Sequence, residues 1–122
     1  MFSLNLQSGI PIYEQLVKRV SELVISGSLL PDDKMPTIRE VAKNLGVNPN
    51  TVQKAYQILE HMDLIYSIPG KGSYVKDSSK SIEIIKDEII DKFKLQGREA
   101  IRHGITKEEL KLAIDSLSEQ VF

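Results

Sequence analysis

The stretch TIREVAKNLGVNPNTVQKAYQILEHM, residues 37–62, decides the fold of this chain. It holds two short helical patterns that only Gly46 and Val47 separate. In the first, Thr37 stands three residues before Glu40, which is the capping-box pattern of a helix start, and Val41 and Leu45 form an apolar stripe. The spacing therefore predicts a short helix that ends at Gly46.

The second pattern begins at once. Asn48 is suited to cap a helix and Pro49 to occupy its first position. Apolar residues then repeat on one face, at Val52, Ala55, Tyr56, Leu59 and Met62. Two helices joined by so tight a turn predict a helix-turn-helix.

The side of the helix after Asn48, the third helix of the chain, is polar where it faces away from this stripe. It carries Asn50, Thr51, Gln53, Lys54 and Gln57. Amide and hydroxyl groups can hydrogen-bond base edges and a lysine can contact a phosphate, and no residue of this set is acidic. On an isolated helix such a face would more often be a simple solvated surface.

The residues after Met62 favour the nucleic-acid interpretation. The pattern becomes extended over residues 64–68 and again over 73–75, and the glycine-rich tip Pro69-Gly70-Lys71-Gly72 lies between. Glycines let a backbone come close to phosphates. We expect a β-hairpin with a basic tip directly after the helix-turn-helix.

Helices are predicted on both sides of this region. A first helix follows Pro11, a residue suited to a first helical turn, and stops at Gly27. A long helix runs to about His103. Gly97 either marks a break in this helix or lies where the backbone of another helix approaches closely. A last helix, residues 107–119, follows the Thr106 and Glu109 capping pattern.

Charge and composition exclude several classes of function. The net charge is −1, but residues 34–76 contain six basic and three acidic residues, so this region is positive. The chain has no cysteine, and its two histidines are too far apart in sequence for a typical metal site. We expect no metal, no cofactor and no enzymatic activity.

Without a signal peptide or spanning segment, we expect a cytoplasmic protein that makes no membrane contact.

The motifs together resemble one family. The run from Gly27 to Val47, the segment Asn48-Pro-Asn-Thr-Val-Gln-Lys-Ala-Tyr56, Leu59-Glu60 and Pro69-Gly-Lys-Gly72 resemble the GntR family of bacterial transcriptional regulators. The form of the third helix and the short C-terminal part look like its YtrA subfamily. This resemblance implies a dimeric repressor, often of an ABC-transporter operon.

The resemblance also implies which residues contact DNA. They come from the start of the second helix, the start of the third helix and the wing, which is the predicted β-hairpin: Pro36, Thr37, Arg39, Asn48, Asn50, Thr51, Gln53, Gly70, Lys71 and Gly72. The outward face of the third helix adds Lys54, which could contact a phosphate. The wider family often has Ser-Arg where this chain has Asn48-Pro49. Because proline has neither charge nor donor, an arginine contact to guanine from that position is excluded.

We therefore predict a mainly α-helical fold with a small β-hairpin. Residues 1–76 would form a winged helix-turn-helix DNA-binding domain, and residues 77–122 a helical dimerisation region. The predicted dimer interface consists of Ile82, Ile85, Ile89, Phe93, Leu110, Ile114 and Leu117. The expected partners are a double-stranded DNA operator and a second copy of the chain. Any small-molecule effector would lie between subunits or domains.

One alternative function is a winged-helix module that binds proteins and not DNA. Outward Asn50, Gln53 and Lys71 favour DNA over this alternative.

Overall fold

The computed structural model describes residues 1–117. Within them the chain forms five helices and one two-stranded sheet: α1 (Ile12–Ile25), α2 (Ile38–Leu45), α3 (Pro49–His61), β1 (Ile65–Ile68), β2 (Gly72–Val75), α4 (Ser79–Arg102) and α5 (Lys107–Asp115). The predicted fold class is confirmed. The chain divides into two compact units, one over residues 1–78 and the other starting at Ser79.

The first unit is built around the apolar faces of α1 and α3. Side chains of these two helices fill its centre together with Val41, Leu64 and Val75 from the neighbouring elements. Leu16, Val20, Val52, Ala55 and Leu59 are completely buried. The apolar period that predicted α3 therefore also predicted which of its faces forms the core, except at Met62.

The helix-turn-helix is fixed by local hydrogen bonds and one glycine. The Glu40 backbone N–H donates to Thr37 Oγ1 at 3.0 Å, so Thr37 caps α2 as predicted. Gly46 ends α2 with φ +69°, a conformation that a side chain would strain. Asn48 Oδ1 accepts the N–H of Asn50 at 2.8 Å and starts α3.

One expectation about a helix end is wrong. Met62 is 44% exposed and is the C-cap of α3, so it does not belong to the core. The apolar stripe ends at Leu59, because the helix ends at His61 and the chain turns toward β1. The start of the first helix agrees with the prediction: α1 follows Pro11, which is its N-cap, and begins at Ile12.

The wing, which is the hairpin of β1 and β2, is hydrogen-bonded to residues 33–35, the link that precedes α2. β1 and β2 pair antiparallel, with Ile65 opposite Val75 and Ile68 opposite Gly72. Met35 N–H donates to the Ser73 carbonyl at 2.8 Å, and Val75 N–H donates to the Asp33 carbonyl at 2.8 Å. The link thus lies along β2 like a short third strand, which fixes the base of the wing.

A buried glutamine organises the N-terminal segment. Gln15 of α1 is 1% exposed, and its Oε1 accepts the Asn5 N–H at 3.0 Å. Its Nε2 donates to the carbonyl oxygens of Asn5 and Ile10 at 2.9 and 2.8 Å. Because these bonds satisfy its amide, Gln15 can be buried at low cost while it holds residues 5–10 against α1.

The second unit has little core of its own. The 24-residue helix α4 and helix α5 contain no buried residue. α4 is continuous through Gly97, so the break, one of the two alternatives at this residue, does not occur, and a Cβ at Gly97 would meet no atom within 4 Å. The close helix approach that was the alternative is therefore absent from the described chain.

An apolar groove of about 510 Å³ lies between α4 and α5. Its lining includes Phe93, Gly97, Leu110, Ile114 and Leu117. The predicted end of the last helix at Glu119 falls outside the described residues, within which α5 ends at Asp115.

Candidate nucleic-acid interface

The outward face of α3 is exposed where the sequence predicts base contacts. Asn50, Gln53 and Lys54 are exposed and Thr51 is half-buried, whereas Val52 and Ala55 between them are completely buried. This alternation follows from the helical period, which turns positions 50, 53 and 54 away from the core. The N-terminal half of α3 can therefore present amide groups to a groove.

The two capping residues also retain hydrogen-bonding capacity. Thr37 uses its oxygen to accept the Glu40 N–H, and Asn48 uses Oδ1 to accept the Asn50 N–H. In both caps the side chain uses only an oxygen acceptor, so the Thr37 hydroxyl hydrogen and the Asn48 amide hydrogens remain available as donors. Donors at helix starts are suited to phosphate oxygens.

Tyr56 joins α3 to the start of α2. Its ring is buried, and its hydroxyl donates to the Pro36 carbonyl at 2.6 Å. Burial, and to a smaller extent the charge of Glu40, raises the pKa of Tyr56, so its hydroxyl stays a donor. The sequence indicated Tyr56 only as a core residue, because its partner lies 20 positions away.

The start of α2 is also adjacent to the wing. Pro36 and Thr37 directly follow Met35, which pairs with Ser73 of β2. At the wing tip, Lys71 N–H donates to the Ile68 carbonyl at 2.9 Å, and Gly70 and Gly72 have φ of +79° and +117°. The hydrogen bonds of Tyr56 and Met35 therefore bring the α2 start, α3 and the base of the wing into one assembly.

Three basic side chains project from this assembly without an internal carboxylate partner. Among residues 1–117, neither a salt bridge nor a side-chain hydrogen bond engages the exposed Arg39, Lys43 or Lys71. Exposed cations that are not neutralised internally are available to phosphates. In the wing, the Ser67 hydroxyl donates to the Glu60 carboxylate and lies within hydrogen-bonding distance of the Ser73 hydroxyl.

Lys54 has a partner that the sequence analysis missed. Its Nζ lies 3.8 Å from the centre of the Tyr13 ring, on α1. No spacing rule connects positions 13 and 54, because α1 and α3 meet only through tertiary packing. The Tyr13 hydroxyl points to its own neighbour and donates to Glu14 Oε1 at 3.2 Å.

The profile of the bacterial regulatory proteins of the gntR family matches residues 12–75. The chain belongs to the GntR family. The matched range extends from the start of α1 to the end of β2, so it includes every element of the interface. As a member, the chain is a DNA-binding transcriptional regulator and not an enzyme.

Among curated relatives, the HTH-type transcriptional repressor YtrA of Bacillus subtilis (strain 168) is 40% identical over 81 residues. The match covers 66% of this chain and 62% of YtrA, which is less than two thirds of that protein's length. It places the chain in the YtrA-like part of the GntR family, as the motifs predicted.

Solved structures of GntR-family proteins agree in fold. A GntR family transcriptional regulator from Listeria monocytogenes has a TM-score of 0.73 and 30% identity, covering 93% of this chain and 100% of that one. The DNA-binding domain of AraR in complex with operator ORE1 has a TM-score of 0.52 and 35% identity, covering 62% of this chain and 94% of that one.

Residues 1–117 contain no helix of sufficient length and apolar character to span a bilayer.

Proposed function

We propose that the chain is a cytoplasmic repressor that binds an inverted-repeat operator as a homodimer. Residues 1–76 would bind DNA and residues 77–122 would dimerise. The observation that carries the DNA-reading part is the exposed N-terminal half of α3, where Asn50 and Gln53 face outward beside the buried Val52 and Ala55. In helix-turn-helix proteins the corresponding residues reach base edges in the major groove.

Positioning and base reading belong to different residues in this proposal. Asn50 and Gln53 read bases, because an amide can form paired hydrogen bonds with adenine. Arg39 contacts either a phosphate or a guanine edge. The other proposed contacts are to the DNA backbone: Pro36, Thr37, Asn48, Thr51, Lys54, Gly70, Lys71 and Gly72. Phosphates carry no sequence information, so these contacts set affinity and register.

Dimerisation is supported by the exposed apolar surface of the second unit. Ile89 and Phe93 of α4 are 55% and 53% exposed, and Leu117 is 75% exposed. The proposed interface residues are Ile82, Ile85, Ile89, Phe93, Leu110, Ile114 and Leu117. A contiguous apolar surface of this kind is unfavourable in water and marks an interaction site. A two-fold dimer would present two α3 helices to two half-sites.

The regulated genes are proposed from similarity alone. Repressors of the YtrA subfamily often control ABC-transporter operons, and YtrA of Bacillus subtilis is one of the curated repressors that this chain resembles. We propose an operon of that kind as the target.

The decisive experiment compares base-reading and phosphate variants on the same DNA. Asn50→Ala or Gln53→Ala should weaken binding to the best operator by about 1 to 3 kcal/mol and relax preference at one base pair per half-site. Binding to random duplex should change little. Lys71→Ala, the matched control at the wing, should weaken operator and random DNA about equally.

The measurement is equilibrium binding to the operator, to its single-base variants and to random duplex at matched salt. Full operator preference in both Asn50→Ala and Gln53→Ala would show that α3 is not the base reader. Arg39→Ala, measured in the same way, assigns Arg39 to a phosphate or to a guanine edge. The absence of binding to the promoter of its own operon would favour the protein-binding alternative.

A further inference from the structure

We infer that Tyr13 is a positioning residue for DNA binding. Its ring holds the Lys54 ammonium at the side of α3 that faces α1, where the ammonium can contact a phosphate. This inference rests on the proposed role of Lys54 in the preceding section. Nothing in the motifs assigns a function to Tyr13, which was absent from the predicted contacts.

The geometry of the pair is the first step. Lys54 Nζ lies 3.8 Å from the centre of the Tyr13 ring, well within the 6 Å or so over which an aromatic face attracts a cation. Tyr13 is half-buried at the start of α1, and Lys54 is exposed on α3. The packed ring has fewer accessible rotamers than the exposed lysine, so the contact restricts the position of the Lys54 ammonium.

The restriction matters because a free lysine is a poor positioning group. Its four-carbon stem has many rotamers, and fixing them on a phosphate costs entropy. A ring that already holds the ammonium reduces this cost before DNA arrives, which is preorganisation. The ammonium has three hydrogens, so contact with the ring face leaves donors for a phosphate oxygen.

The direction in which Lys54 is held selects a phosphate over a base. Lys54 and Asn50 are one turn apart on the outward face of α3, but Lys54 extends toward α1 and away from the middle of that face. Asn50 keeps the central position for base edges. Tyr13 thus separates a positioning contact from a reading contact on the same helix.

The alternative is that Tyr13 sequesters Lys54 and must release it on binding. The two possibilities predict opposite signs. If Tyr13 positions Lys54, Tyr13→Leu weakens operator binding; if it sequesters Lys54, Tyr13→Leu strengthens binding.

The test is a double-mutant cycle with Tyr13→Leu, Lys54→Gln and the double variant, measured by operator binding at several salt concentrations. We expect Tyr13→Leu to weaken binding roughly two- to fivefold per subunit, the range that an exposed cation–π contact supplies. In the Lys54→Gln background, Tyr13→Leu should have no further effect. Tyr13→Phe keeps the ring and should bind the operator with the affinity of the wild type.

Salt dependence separates this effect from a loss of stability. Tyr13→Leu should flatten the slope of log affinity against log salt, as Lys54→Gln does, by up to about one unit per subunit. Lys80→Gln removes one charge from α4 and controls for net charge. Thermal unfolding of each variant verifies that the DNA-binding unit is folded at the assay temperature.

Each outcome decides one point. Stronger binding by Tyr13→Leu, or an equal loss in the presence and absence of Lys54, would overturn the role of Tyr13. A loss in Tyr13→Phe as large as in Tyr13→Leu would show that the hydroxyl acts by itself. If Lys54→Gln alone has no effect on affinity or salt slope, the proposed phosphate contact of Lys54 is wrong, and the inference fails with it.

Discussion

At the scale of single residues, the turn between α2 and α3 depends on one glycine. Gly46 has φ +69°, and a Cβ built there would meet no atom within 4 Å, so the obstacle to a side chain is conformational and not steric crowding. Gly46→Ala should therefore lower the free energy of unfolding by about 1 to 2 kcal/mol. Gly46→Asn should cost less, because asparagine tolerates the left-handed region.

Denaturant unfolding of the two variants measures this difference. Equal stability of wild type and Gly46→Ala would contradict the assigned turn. DNA affinity at temperatures where the variants are folded provides a second measure of whether the angle between α2 and α3 has changed.

Asp32 is a residue-scale feature that the sequence does not predict. It has φ +69° without being glycine, and its Oδ1 accepts the Tyr66 hydroxyl at 2.8 Å. This hydrogen bond raises the pKa of Tyr66, whose ring also stacks on Tyr74 at 5.6 Å. The sequence shows Asp32 as part of a polar turn, and only the fold brings it to a tyrosine 34 positions away.

At the scale of elements, local signals predicted most of the fold. Capping residues and apolar periods predicted the type and approximate start of all five helices in residues 1–117, because both act within one or two turns of the chain. The wing was predicted by its glycine-rich tip between two extended runs. The strand-like pairing of residues 33–35 with β2 was missed, since it depends on contacts some 40 positions apart.

The candidate interface was predictable to the same extent. The helical period placed Asn50, Gln53 and Lys54 on the outward face, and the structure has them exposed there. The helical period could not predict the contact of Tyr13 with Lys54 or the hydrogen bond of Tyr56 to Pro36, because each joins two different elements. The direct DNA contacts and the dimer interface stay predictions.

Gly97 gives an element-scale prediction. α4 is continuous through this residue, and a Cβ there would enter open space beside the apolar groove. Gly97→Ala should stabilise the helix by about 0.5 to 1 kcal/mol and raise the melting temperature. Dimerisation should be unchanged in sedimentation. A raised dissociation constant of the dimer would instead show that a partner helix backbone approaches Gly97 closely.

At the scale of the whole molecule, the proposed dimer depends on one face of α4. Ile89 and Ile84 are 55% and 60% exposed, but they lie about 140° apart around the helix at about 100° per residue. Ile89→Glu would bury a charge in the proposed interface, whereas Ile84→Glu would place it on the opposite face. Sedimentation should show a monomer for Ile89→Glu and a dimer for Ile84→Glu. A monomeric wild type at micromolar concentration, with and without DNA, would contradict the dimer.

The dimer also determines how steeply DNA affinity falls with salt. If Arg39, Lys43, Lys54 and Lys71 of both subunits each neutralise one phosphate, about eight counterions are displaced and log affinity falls with log salt with a slope of about −7. The monomeric Ile89→Glu variant would engage one half-site, so its slope should be about half as steep, while Ile84→Glu should keep the full slope. Titrations of labelled operator across a series of salt concentrations measure these slopes. A slope near zero for the wild type would show that these side chains do not contact phosphates. An unchanged slope in Ile89→Glu would mean that one subunit supplies all the contacts, and the inverted-repeat arrangement would then be wrong.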